Sequence, residues 1–185
     1  KETHKAVLQM AKKHGAIFSF DPNIRLPLWN SAEACQETVR EFLPYADLIK
    51  LSDEECFFVT GKHAILDAAD WLFDQGCKML LYSMGKEGAM ILTPHTTCHV
   101  ENPEVRVKDT TGAGDAIIGS YLYCLAKNNI SAAQLASCKL EEIREWLTFA
   151  IYYANYSITK SGAIASYPDY TTFLEWMQEK RKKVH

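Results

Sequence analysis

Several things are missing from this chain, and each absence removes a class of function. No uninterrupted apolar stretch approaches the roughly 20 residues that a membrane-crossing helix needs. No positively charged segment followed by an apolar one opens it. Its formal net charge is only −3 over 185 residues. That excludes the dense cationic surface by which proteins hold a phosphate backbone, so neither a nucleic acid nor a membrane is an expected partner. The basic run Lys180-Arg181-Lys182-Lys183 reads as a solvated last helical turn, where cations suit the helix dipole. The six cysteines at 35, 56, 77, 98, 124 and 138 include no Cys-x-x-Cys pair. Their flanking residues share nothing, which argues against a repeat and against a disulfide framework. His95, Cys98 and His99 have no evident fourth partner for a zinc site. Free thiols and a cytoplasmic setting are expected. No linker or low-complexity tract interrupts residues 1–185, which read as a single domain long enough to bury a real core.

What is there centres on Lys108-Asp109-Thr110-Thr111-Gly112-Ala113-Gly114-Asp115, followed by the apolar run Ala116 to Leu122. A small-residue turn feeding a buried helix leaves backbone N–H groups free at the helix start, where the dipole favours an anion. Gly112 and Gly114 carry no Cβ to block a ligand's approach to the backbone. Asp115 is an odd guest at an anion site unless it has a task, such as taking a proton from an attacking hydroxyl. A capped turn with a favourable first-turn acid is the plainer alternative.

Hydrophobic periodicity predicts helices over 2–14, from Asn30 to about Phe42, after Ser52, from about Ala64 to Gln75, and at roughly 113–127, 140–159 and 170–182. Asn30-Ser31-Ala32-Glu33 and Ser52-Asp53-Glu54-Glu55 both have the form of a capping box. Strands are predicted at Ala16–Phe20, Ala46–Leu51, Met79–Ser83 and Gly88–Leu92, with weaker ones at Thr97–Val100 and Val105–Val107. Alternation of this kind argues for an α/β protein with a mostly parallel sheet covered on both faces. Polar strings collect at the strand ends: Asp21-Pro22-Asn23-Ile24-Arg25, Ser52 to Glu55, and Ser83-Met84-Gly85-Lys86-Glu87-Gly88. Ligands gather beyond the carboxyl ends of such strands. Each string also has a structural reading, as a turn, a helix cap or a hairpin loop.

The string Asp-Thr-x-Gly-Ala-Gly-Asp ahead of an apolar helix resembles the C-terminal signature of the ribokinase-like sugar kinases, the PfkB family. Asp21 to Arg25, Leu28-Trp29 and Ala46 to Glu55 are similar to its fructokinase branch, and the resemblance runs to Lys160-Ser161-Gly162-Ala163 and Tyr167-Pro168. It implies a three-layer ribokinase-like fold and ATP-dependent phosphorylation of a sugar hydroxyl, fructose first. By this resemblance Gly112, Ala113 and Gly114 cradle the transferring phosphate and Asp115 is the base. Ser83, Gly85, Asn155, Gly162 and Ala163 fall on the nucleotide side. Asn23 and Arg25 fall on the substrate side. Glu55 is implied in positioning Mg2+, although Ser52 stands where the family has asparagine. Asp109 and Thr111 fall where many relatives bind a monovalent cation, K+ being the candidate.

The resemblance also implies a portion that is not in the sequence. No Gly-Gly-x-x-x-Asn string precedes the first helix and no lid hairpin is visible, so an upstream part carrying most of the sugar pocket is expected. The fold should then be incomplete, with an exposed sheet edge that favours a homodimer or aggregation and weak or absent activity for this chain alone. A non-catalytic nucleotide-binding module, a plain interaction domain, and kinases of ribokinase-like or ketodeoxygluconate-like substrates are the alternatives.

Overall fold

A computed structural model describes residues 2–182. Lys183, the last residue of the basic run noted above, lies outside the described residues. Helix α1 (Glu2–Lys13) ends at Gly15, whose φ of +74° and N–H bond to Lys12 terminate it. The first strand is shorter than predicted: β1 is Ser19–Phe20. Helix α2 (Ala32–Phe42) is capped by Ser31, whose hydroxyl accepts from the Ala34 N–H. This corrects the expected box, because the cap falls one residue later than Asn30. Position N3 is then alanine and Glu33 cannot reciprocate.

Strand β2 (Leu48–Ser52) runs straight into α3 (Asp53–Thr60). Here the capping box is complete, with Glu55 N–H donating to the Ser52 hydroxyl and Ser52 N–H donating to the Glu55 carboxylate. After α4 (Ile65–Asp74) come β3 (Met79–Ser83), β4 (Ala89–Leu92) and β5 (Thr97–Val100). The sheet order is β1-β2-β3-β4-β5. Its first two pairings are parallel, whereas β3–β4 and β4–β5 are antiparallel hairpins. Gly88 lets the end of β5 come close, since a Cβ there would lie 2.1 Å from the Val100 carbonyl oxygen.

Val105–Val107 is not a strand. The residues just after it, Lys108 and Asp109, donate their N–H groups to the Ile158 carbonyl instead of joining the sheet. The long segment after β5 is thereby tied to the end of α6 (Leu140–Ser157), and the motif opens α5 (Ala113–Lys127). Helix α7 (Tyr170–Lys182) then packs Phe173 and Met177 into the core.

Strand alternation sorts the core into two clusters. Leu48, Met79, Leu81, Ala89 and Ile91 face α5 and α6. Ile49, Leu51, Leu80, Tyr82 and Leu92 face α2, α3 and α4. The result is a three-layer α/β sandwich. All six cysteines are unpaired and buried within it. Among the described residues no helix is long and apolar enough to cross a membrane.

Candidate active site

The same alternation builds the site. Residues 48, 50 and 52 of β2 share a face, and so do 79, 81 and 83 of β3, with Ser52 opposite Ser83. The apolar members of both sets lie under α5. Lys50 and the two serines, nearer the strand ends, meet its N-terminus. They enclose a polar cavity of about 280 Å3 with Asp21, Asn23, Arg25, Glu55, Gly112, Gly114 and Asp115. Four segments distant in sequence therefore converge, as expected from the polar strings at the strand ends.

Lys50 is the residue that sequence reasoning passed over. It is 7% exposed, and lysine is almost never buried unless paired. Its Nζ lies 3.4 Å from Asp21 Oδ2 and 3.7 Å from Glu55 Oε2. A Cβ placed on Gly114 would come within 3.2 Å of that Nζ, so the glycine is what lets the cation approach the helix start. The signal was a lysine inside Leu48-Ile49-Lys50-Leu51, on the face that every other residue devotes to the core.

The two acids respond differently to the site. Burial pushes the Asp21 carboxyl above its ordinary value, and the nearby Glu55 charge adds to this, outweighing Lys50. Burial pushes Glu55 the same way. There it is outweighed by the Ser52 and Ile24 N–H groups and by Lys50, leaving Glu55 below the usual range. Ile24 N–H donates to Glu55 Oε1 at 2.9 Å and Ser52 N–H to Oε2 at 2.9 Å. Glu55 is thus an ionised strut that ties the Asp21–Arg25 turn to α3. Within that turn Asn23 takes a left-handed φ of 42° and its N–H bonds Asp21 Oδ1. Arg25 is exposed on the cavity rim, its guanidinium bonded to the Ile24 carbonyl.

At the start of α5, Gly112 is the N-cap with φ +80°. Its carbonyl accepts from Ala116 N–H at 2.8 Å and from the Tyr167 hydroxyl at 2.9 Å. Ala113 N–H is turned back onto the Thr110 carbonyl at 3.1 Å. Asp109 receives Thr111 N–H on one carboxylate oxygen and Gly162 N–H on the other, both at 2.9 Å. Those bonds, with the Thr111 hydroxyl, hold its carboxyl down to about 2. Asp115, exposed, stands on the cavity wall.

A larger cavity of about 550 Å3 adjoins on the other side of Gly114 and Ser83. Gly85, Asn102, Val105, Val107, Ala113, Ile117 and Asn155 help to line it. Asn155 is fixed there, donating to Asn102 Oδ1 at 2.8 Å, while Asn102 donates to the Gly85 carbonyl at 2.8 Å. Of the residues expected on the nucleotide side, Ser83, Gly85 and Asn155 are brought together. Gly162 and Ala163 do not line this cavity; Gly162 is bonded to Asp109 and Ala163 abuts Gly112, its Cβ 3.0 Å from where a Gly112 Cβ would be.

A polar cavity with an acid at a glycine-opened helix start therefore lies beside a larger one with apolar walls. The family model described as pfkB family carbohydrate kinase matches residues 1–170. The chain belongs to that family. Fructokinase-2 of Solanum habrochaites is 36% identical over 166 residues, covering 89% of this chain and 49% of that protein. Probable fructokinase-2 of Arabidopsis thaliana is 36% identical over 169 residues, covering 91% and 50%. The pfkB chain therefore spans about half the length of the curated relatives it matches. Among solved structures, a fructokinase with bound ATP from Xylella fastidiosa superposes with a TM-score of 0.88 at 29% identity, covering 97% of this chain and 57% of that one. A fructokinase double mutant from Vibrio cholerae O395, in fructose-, ADP- and potassium-bound form, gives 0.82 at 28% identity, covering 95% and 55%. The ribokinase-like three-layer fold is thereby established.

Proposed function

We propose that this chain carries the nucleotide-binding and proton-accepting side of an ATP-dependent sugar kinase, with fructose as the acceptor. The observation that carries the reading is Asp115 on the wall of the polar cavity, one residue beyond Gly114 at the α5 start. The names of the relatives support fructose.

Phosphoryl transfer asks a protein for positioning and charge stabilisation more than for covalent chemistry. ATP enters through the larger cavity, its base between Asn155 and the apolar walls and its phosphates toward Gly114. The backbone N–H groups that follow Ala113 at the α5 start face the charge developing on the phosphate oxygens, since Ala113 N–H is held by the Thr110 carbonyl, and Lys50 adds a fixed cation behind Gly114. Asp115 accepts the proton of the attacking sugar hydroxyl, and Arg25 and Asn23 meet the sugar from the rim. Asp21 and Glu55 suit Mg2+ held through water and phosphate, since Mg2+ takes one or two carboxylates and keeps several waters. When bound, Mg2+ neutralises charge on the transferring phosphate. Around Asp109 and Thr111, carbonyl oxygens and spare carboxylate lone pairs are the donors that K+ would use.

A second reading, a nucleotide-binding module without turnover, needs only the cavity of about 550 Å3 and leaves Asp115 without a task. Calorimetry with ATP, together with a coupled assay on fructose, ribose and ketodeoxygluconate, separates the two. ATP binding with fructose-dependent ADP release supports the kinase. Binding without turnover supports the module, and no binding at millimolar ATP overturns both.

A further inference from the structure

The Thr111-Gly112-Ala113-Gly114 turn contains two glycines, and glycine loses more conformational freedom on folding than any other residue. A turn of this composition does not hold one geometry unaided. It is bound from outside by a segment about fifty residues further on. Gly162 N–H donates to Asp109 Oδ2 across a separation of 53 residues, and the Tyr167 hydroxyl donates to the Gly112 carbonyl across 55. The clamp has its own supports. The Tyr167 ring packs 6.0 Å from that of Tyr153, whose hydroxyl donates to the Pro168 carbonyl at 3.2 Å. Ala163 and the Tyr167 hydroxyl together fill the space that a side chain at Gly112 would need.

The two bonds act at different points on the turn. Asp109 joins its own loop, through Thr111 N–H, to Gly162. Tyr167 seizes the carbonyl that also accepts the first helical bond, from Ala116 N–H. Fixing that peptide plane fixes the direction of the N–H groups that follow and, two residues after Ala113, the position of Asp115.

We propose that Tyr167 and Asp109 are positioning residues, which clamp the glycine turn onto the 161–167 segment and so preset the α5 N–H groups and Asp115 for a phosphate. This rests on the reading of the α5 start as the phosphate site. Neither side chain needs to touch the nucleotide. The Tyr167 phenol is kept in its donating form, because burial and the neighbouring Asp115 carboxylate both push its pKa up.

The test compares ADP with adenosine, which lacks phosphates, on the wild-type chain and on Tyr167→Phe, which keeps the ring packing but removes the hydroxyl. Amide exchange at Ala113 and Ala116 is followed in the same samples. The expected result is ADP affinity reduced about fivefold, the size of one lost hydrogen bond. Adenosine affinity should be unchanged, and exchange at Ala113 and Ala116 faster while Tyr121 and Cys124 stay protected. Asp109→Asn should give the same pattern and also release either the Gly162 or the Thr111 amide, because its NH2 group must face one of the two N–H donors. Unchanged ADP affinity with unchanged exchange overturns the clamp. Equal losses of ADP and adenosine overturn it too, showing a general structural role. If the wild-type chain binds neither ligand, the phosphate-site reading fails. Exchange at Ala113 and Ala116 then decides the clamp alone, faster in Tyr167→Phe upholding it and unchanged overturning it.

Discussion

The start of α5 and the edge at β1 lie on either side of Asp21 and are held in opposite ways. At α5, Lys50, Asp21, Glu55 and Tyr167 reach the glycine turn or its neighbours from three separate segments, and Asp109 ties the turn's own loop to Gly162. At β1, two residues pair with β2, and α1 beside them buries none of its side chains. An apolar groove of about 590 Å3 runs between them, lined by Val7, Leu8, Phe18, Phe20, Trp29 and Phe42 among others. Asp21 borders both the groove and the polar cavity. The contrast teaches where the chain is self-sufficient. The glycine turn is held by contacts within it, while the flank beyond Asp21 is apolar, open and weakly paired.

Breaking the α5 side at its chemical centre should have the largest effect. Asp115→Asn should lower any fructose-dependent turnover by about 10^3-fold, within the range of a lost general base, with ATP affinity within a few-fold by calorimetry. Comparable turnover would remove Asp115 from the base role. Next comes Lys50→Met, which leaves Asp21 and Glu55 facing each other without their cation. Urea unfolding should show a loss of about 3 kcal/mol, as for a broken buried ion pair. A neutral result would mean that the lysine is dispensable to the fold. Gly112→Ala forces a Cβ residue into left-handed backbone, costing about 1–2 kcal/mol. It also drives that Cβ to 2.9 Å from the Tyr167 hydroxyl, so ADP affinity should fall with stability.

Much of the α5 side was legible in the sequence because it is written in local chemistry. The Ser52–Glu55 box, the Gly85–Gly88 hairpin turn and the helix after Gly112 each follow from a few adjacent residues. Ser31 shows the limit: with Asn30 and Ser31 both good caps, the sequence pattern chose the wrong one by a single position. Lys50 and Tyr167 were missed because their roles are purely tertiary. A lysine in an apolar strand has meaning only once the strand's face and the partner acids are known. A tyrosine before a proline says nothing about a carbonyl 55 residues away. Val105–Val107 has strand composition, but its neighbours' N–H groups are claimed by the end of α6, a competition invisible to local pattern.

Smaller effects sharpen the contrast. Asp109 has a folded pKa of about 2 against an ordinary 3.8. With the folded value depressed, its contribution is complete above the ordinary value and is lost as pH falls toward the folded one. Acid unfolding should therefore show a loss of stability between about pH 4 and pH 2 that Asp109→Asn lacks. Equal acid profiles would show that Asp109's bonds to Gly162 and Thr111 do not matter to stability. On the β1 side, Val7 is 59% exposed beside the groove. Val7→Glu should reduce self-association in light scattering at high concentration while leaving the melting temperature within a degree or so, since exposed substitutions away from packed features cost little. A wild-type chain that stays monomeric would remove the basis for that comparison.

The phosphate site proposed at the α5 start draws only on groups that residues 2–182 supply. Calorimetric titration of the chain with ATP and with adenosine, at low and high salt, tests it most directly. ATP should bind at least about tenfold more tightly than adenosine, and salt should narrow the gap by screening the charges. Equal affinities for the two, with no dependence on salt, would contradict it.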